Sequence, residues 1–199
     1  MSDILDFSED EEVLLRPAPR LAHIINLGVD WERGIIHVGE QIGEDTGTWF
    51  WTLLDHFADR RVQVHVNTPG GDVTSMFAMH DAIRRHGNVV TIGYGQVCSA
   101  GVLLLACGHE RYVTESCLLM SHEATGFGGD LGYRAAKDRR KAEDWQHLYW
   151  CELMSRYTPP EKDKAWWKRT TDRQAEYWLL GGEEIVAAGL ADAVIRTGK

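Results

Sequence analysis

No stretch of this chain is apolar for long. The longest such run, Val102 to Cys107, falls far short of the roughly 20 residues that span a bilayer. No secretory pattern opens the sequence, so a cytoplasmic setting without a membrane anchor is expected. Positive charge is also scarce: 21 Lys and Arg stand against 30 Asp and Glu, a formal net charge of −9. That balance argues against a general grip on nucleic acid. The four cysteines, Cys98, Cys107, Cys117 and Cys151, form no C-x-x-C pair, which sets aside a zinc knuckle and a dithiol redox motif. Cys98, Cys107 and Cys117 stand in apolar surroundings and read as small buried hydrophobes in a reducing compartment. The segment 123–132 is glycine-rich but lacks the Lys and the spacing of a phosphate cradle, so no nucleotide, cofactor or metal is expected.

What is present suits one domain with a substantial core. An acidic cluster, Ser8-Glu9-Asp10-Glu11-Glu12, precedes Arg16-Pro17-Ala18-Pro19-Arg20, so residues 1–20 read as a mobile acidic tail ahead of a domain spanning 21–199. Strands are expected at 34–38, 62–66, 89–92, 111–113, 118–121, 177–180 and 191–195. Helical periodicity runs from Asp45 through Trp49, Trp51, Leu53, Leu54 and Phe57, then again over 73–86 with a stop at Gly87-Asn88. A long charged helix is expected over 133–157, with Trp145, Leu148, Tyr149 and Leu153 as its apolar stripe. Thr158-Pro159-Pro160 ends it and starts a second helix from 161 to about 168, and a short helix follows at 183–188. Five of the eight tryptophans fall in the last third of the chain, where packing or a subunit interface is expected. The strand–helix alternation indicates an α/β fold.

Three short segments carry chemistry. Gly95-Gln96-Val97-Cys98-Ser99-Ala100-Gly101 lies between a β-branched run and an apolar run, which reads as strand, tight turn and helix start. A serine there can serve as a plain helix N-cap, or as a nucleophile at a helix start where free N–H groups favour developing negative charge. Thr68-Pro69-Gly70-Gly71-Asp72 follows a strand directly. It is either an ordinary turn or a place where glycine lets a substrate backbone approach closely. His122 comes immediately after the strand at 118–121. Ser121 points to the opposite strand face and is an unlikely nucleophile. Histidines 23, 37, 56, 65, 80, 86, 109 and 147 lack such context and read as surface or packing residues.

In order and spacing, Asn67-Thr68-Pro69-Gly70-Gly71, the Ser99 segment, Leu119-Met120-Ser121-His122 and Gly189-Leu190-Ala191-Asp192 resemble the ClpP family of serine peptidases. The resemblance covers about residues 34–193. It implies Ser99 as nucleophile, His122 as general base, and the backbone N–H groups of Gly71 and Ala100 as an oxyanion hole, with Gly70 and Gly71 against the substrate backbone. For the third member it points to Asp172, six residues before Trp178-Leu179. A different gap would place Arg173 there, and Asp163 is the fallback. It further implies a ClpP/crotonase-like fold of stacked β-β-α units with a handle at about 123–157. The implied activity is an ATP-independent serine endopeptidase acting on unfolded polypeptides inside a homo-oligomer of seven-membered rings, single or stacked as a tetradecamer, fed by an AAA+ unfoldase. The chain departs from the family pattern at His122-Glu123-Ala124, where His-Gln-Pro is usual, at Ala100, and in the acidic tail. Two other readings remain: a structural ring subunit with little activity, and a crotonase-type enzyme acting on an acyl-CoA thioester.

Overall fold

The computed structural model describes residues 28–123, 133–173, 175–196 and 198. The tail expected over 1–20, His23, and the glycine-rich loop beyond Glu123 lie outside the described residues. In chain order the elements are β1 (Val29–Asp30), β2 (Ile35–Val38), α1 (Thr46–Phe57), β3 (Val62–Thr68), α2 (Val73–His86), β4 (Val89–Cys98) and α3 (Ala100–Ala106). There follow β5 (Glu110–Thr114), β6 (Leu118–Ser121), α4 (Tyr133–Tyr157), α5 (Lys164–Arg173), β7 (Tyr177–Leu180), α6 (Gly182–Ala187) and β8 (Ala193–Ile195). The architecture is mixed α/β, as the alternation indicated. No helix among the described residues is long and apolar enough to cross a membrane.

The main sheet runs β1-β2-β3-β4-β5-β8, parallel from β2 onward. Alternation in β3 buries Val62, Val64 and Val66 completely, while Gln63 and His65 face the other side. The α2 stripe of Met76, Met79 and Ile83 packs against this core, and Phe50, Leu53, Leu54 and Phe57 of α1 do the same. Trp51, counted with them in the sequence, is instead 46% exposed beneath the Arg85 guanidinium. Asp72 caps α2 by accepting a 2.7 Å hydrogen bond from the Ser75 N–H, and Gly87 closes it at φ 81°.

β4 is longer than expected, and it forks. Residues 90–93 pair with β5, whereas residues 96–98 pair with β6, which in turn pairs antiparallel with β7. The fork sets the ends of β4 and β6 side by side, which is where Ser99 and His122 emerge.

Two expectations need correcting. The second helix begins at Lys164 rather than 161, because the Asp163 carboxylate accepts the Trp166 N–H at 2.7 Å and acts as its cap; it runs on through Asp172 to Arg173. The stripe on α4 is also shifted. Trp145 is 60% exposed and Leu148 lies outward, while His147, Trp150, Cys151, Leu153 and Met154 are buried. All four cysteines, Cys151 included, are free and buried.

Candidate active site

Ser99 occupies a single-residue corner between β4 and α3, with φ 53° and ψ −117°. A non-glycine residue at positive φ is held there at a cost of about 1–3 kcal/mol by its surroundings. The holding contact is a 2.7 Å hydrogen bond from the Ser99 N–H to the Met120 carbonyl, which continues the β4–β6 ladder. The serine stands at the N-cap position, yet its side chain makes no capping hydrogen bond, so the hydroxyl is not spent on the helix. That removes the plain capping role.

Gly70 and Gly71 wrap this corner. A Cβ on Gly70 would lie 2.5 Å from the Ser99 Cβ, and one on Gly71 would lie 2.1 Å from the Ile42 carbonyl oxygen. Both have positive φ, 99° and 149°, so only glycine fits on either ground. The Gly70 carbonyl accepts from the Ile42 N–H and the Asp72 N–H donates to the Ile42 carbonyl, each at 2.8 Å. In such a parallel bridge the middle residue turns its own N–H the other way, so the Gly71 N–H is left unspent. Ala100 opens α3, where backbone N–H groups lack intrahelical partners. Thr68 steadies the loop by donating to the Glu40 carbonyl at 2.6 Å and accepting the Gly70 N–H at 3.1 Å.

These pieces converge. Ser99, His122, Gly71 and Ala100 line one cavity of about 70 Å³, together with Val73, Met76, Gln146, His147 and Trp150. A larger open groove of about 720 Å³ shares Gly71, Ser99 and His122 and extends along Gln41, Ile42, Pro69, Gly70, Arg139 and Glu143. Ser121 is 1% exposed with an unpartnered hydroxyl, and it lines neither space. Among the described residues no hydrogen bond joins Ser99 to His122.

Asp172 lies apart from this cluster. It is on α5, outside the lining of both spaces; its Oδ2 accepts from the Lys168 Nζ at 2.5 Å, and its Oδ1 is 3.8 Å from the His147 Nε2. No hydrogen bond joins it to His122. Arg173 is exposed, and Asp163 is engaged as the cap of α5.

His147 is the residue that sequence reasoning missed. Read there as packing, it lines the Ser99 cavity and is only 8% exposed. Its Nε2 is 3.1 Å from the Thr171 Oγ1 and 3.8 Å from the Cys151 Sγ. Burial pushes its pKa below the ordinary histidine value, against the opposing pull of Glu123 and Asp172. Its position on α4 gave no signal, because the cavity is assembled from separate segments of the chain, running from Gly71 to Trp150. Among the other described histidines read as surface or packing residues, His56 and His109 are exposed. His65 packs between His37, which it meets edge-on, and Tyr94, and burial, with His37 and Arg33 nearby, lowers its pKa to about 4. His80 bridges Asp81 and the Tyr157 hydroxyl.

Sequence comparison gives the same direction. The chain is 29% identical to the ATP-dependent Clp protease proteolytic subunit 2 of Chlamydia trachomatis serovar D over 175 residues, 83% of this chain and 82% of that one. It is 26% identical to the ATP-dependent Clp protease proteolytic subunit 4 of Rhodococcus jostii over 172 residues, 81% of this chain and 84% of its relative. The family model for Clp protease matches residues 29–198, nearly all of the described fold, and the chain belongs to that family.

Proposed function

We propose that this chain is a serine endopeptidase subunit that hydrolyses unfolded polypeptides, with Ser99 as nucleophile and His122 as general base. The observation that carries the reading is the Ser99 corner itself. A strained serine with an unspent hydroxyl shares one cavity with His122 and with two backbone N–H groups. In this mechanism the Ser99 hydroxyl attacks the peptide carbonyl while His122 takes its proton. The Gly71 and Ala100 N–H groups receive the tetrahedral oxyanion, each such donor contributing on the order of 10²–10³ in rate. His122 then protonates the leaving amine; water, giving its proton to His122, attacks the acyl ester, and the product acid leaves as the Ser99 oxygen takes that proton back. The open groove along Ile42 and Gly70 suits an extended chain, with Gly70 and Gly71 against its backbone.

Asp172 is the proposed third member. In this role its carboxylate leaves Lys168 and holds the His122 tautomer, a rearrangement of side chains on α5. The proposal includes assembly into rings served by an ATP-using unfoldase in the cytoplasm; the relatives' names, as proteolytic subunits of ATP-dependent proteases, support a subunit that works with an ATP-using partner. The absence of hydrogen bonds linking Ser99, His122 and Asp172 favours a second reading, a ring subunit with a structural role and little activity of its own.

Treatment of the native oligomer with a fluorophosphonate probe, followed by intact-mass measurement, decides between them. Stoichiometric labelling that is lost in Ser99→Ala, with assembly intact, is the expected result. An unlabelled, well-assembled oligomer would hand the chain to the structural reading.

A further inference from the structure

We infer that His147 sets the side-chain preference of this site, presenting a hydrogen-bond acceptor to a short polar side chain on the residue whose carbonyl is attacked. The inference rests on Ser99 being the nucleophile. In that arrangement the attacked carbon lies at the Ser99 hydroxyl, and the Cβ of the same residue is only two bonds away. Its side chain must therefore enter whatever space adjoins Ser99 and Ala100. The space there, beside the open groove, is the cavity walled by Val73, Met76, Trp150 and His147. At about 70 Å³ it is half the ~150 Å³ that admits a benzene ring, so aromatic side chains are too large.

The state of the imidazole follows from its neighbours. The Thr171 Oγ1 lies 3.0 Å from the Trp167 carbonyl and 3.2 Å from the Lys168 carbonyl, neither of which can donate. With the single hydroxyl proton given to one of these carbonyls, the Thr171 oxygen accepts from the His147 Nε2 at 3.1 Å, and we assign the imidazole that tautomer. Before Asp172 is drawn to His122, its carboxylate, 3.8 Å from Nε2, favours the same proton position. Nδ1 is left as a lone-pair acceptor, and among the described residues it has no hydrogen-bond partner. The His147 ring lies nearly parallel to Trp150, at 12° and 6.3 Å between centroids, which fixes its plane. Gln146 also lines the cavity, but its amide can turn to donate or accept, so it does not discriminate.

An acceptor fixed beside Val73, Met76 and Trp150 favours a partner that donates and disfavours one that strands it. Threonine and asparagine are the matching side chains, and valine and leucine are their apolar isosteres. The test is kcat/KM of the assembled protein on two pairs of fluorogenic peptides, Thr against Val and Asn against Leu at that one residue. The polar member should be cleaved about tenfold faster or more. His147→Leu should abolish or invert that preference while Ser99 still labels with fluorophosphonate. Thr171→Val, which releases the Nε2 proton from its acceptor, should narrow the preference without removing His147, and it serves should His147→Leu not fold. A wild-type preference for Val and Leu, or a polar preference untouched by both variants, overturns the inference. Failure of the wild type to label would instead overturn the serine reading beneath it.

Discussion

Ser99 and Asp172 are held in the fold by different means. Ser99 and the two glycines around it are fixed by backbone: a ladder hydrogen bond to Met120, a bridge to Ile42, and dihedral angles that few residues adopt. Asp172 and His147 are fixed by side chains on two packed helices, and the Asp172 carboxylate is 40% exposed with Lys168 as its partner. A backbone-built half has one arrangement. A side-chain half can re-pair, since an exposed ion pair such as Lys168–Asp172 is screened by water and contributes little. The proposed nucleophile and oxyanion donors are therefore preformed, and the acid is the part that must be recruited.

The sharpest test of that contrast is Asp172→Asn. If Asp172 orients His122 during turnover, kcat should fall by roughly 10⁴, the scale seen when a triad acid is neutralised, while Ser99 and the fold remain intact. A change of less than tenfold in steady-state kinetics would leave the site with a serine–histidine pair alone. Next in size is Gly71→Ala on the rigid side. The new Cβ would meet the Ile42 carbonyl at 2.1 Å, so the bridge must open and one oxyanion donor moves. Peptide cleavage should drop by about 10²–10³, with a lowered urea midpoint. Wild-type cleavage in a folded Gly71→Ala protein would deny Gly71 its role. The smallest effect is expected from Asp163→Ala. Removing the α5 cap should cost about 1 kcal/mol of stability, measured by urea denaturation, and leave kcat of the folded protein within twofold. A loss of turnover larger than the loss of stability would restore Asp163 as a catalytic candidate.

The same division decided what could be read from the sequence. Ser99, Gly70, Gly71 and His122 were legible because the turn, the close approach and the strand end each demand particular residue types at fixed spacing. The bounds of α2 were legible for a similar reason, since Asp72 and Gly87 are local signals acting within one turn. The start of α5 was misplaced because Pro159-Pro160 resembles a helix opening, while the cap that forms is Asp163. On α4, a count of large apolar residues picked Trp145 and Leu148, yet the face that packs on α5 and the cavity carries His147 and Cys151. Hydrophobicity alone cannot select that face, because the partner surface is made of residues distant in the chain. The role of His147 was illegible on the same ground.

The forked strand has a consequence for motion. β4 lies at the centre of the sheet, and its second half is bonded both to β3 and to β6, so Ser99 and the strand leading to His122 share ladder hydrogen bonds with the core. Segments tied this way open only with the whole cooperative unit, whereas an exposed helix face opens on its own at far lower cost. A signal that switches this site on or off has no soft element to act on at the serine. In the proposed mechanism it would arrive through α4 and α5, by changing which partner Asp172 keeps.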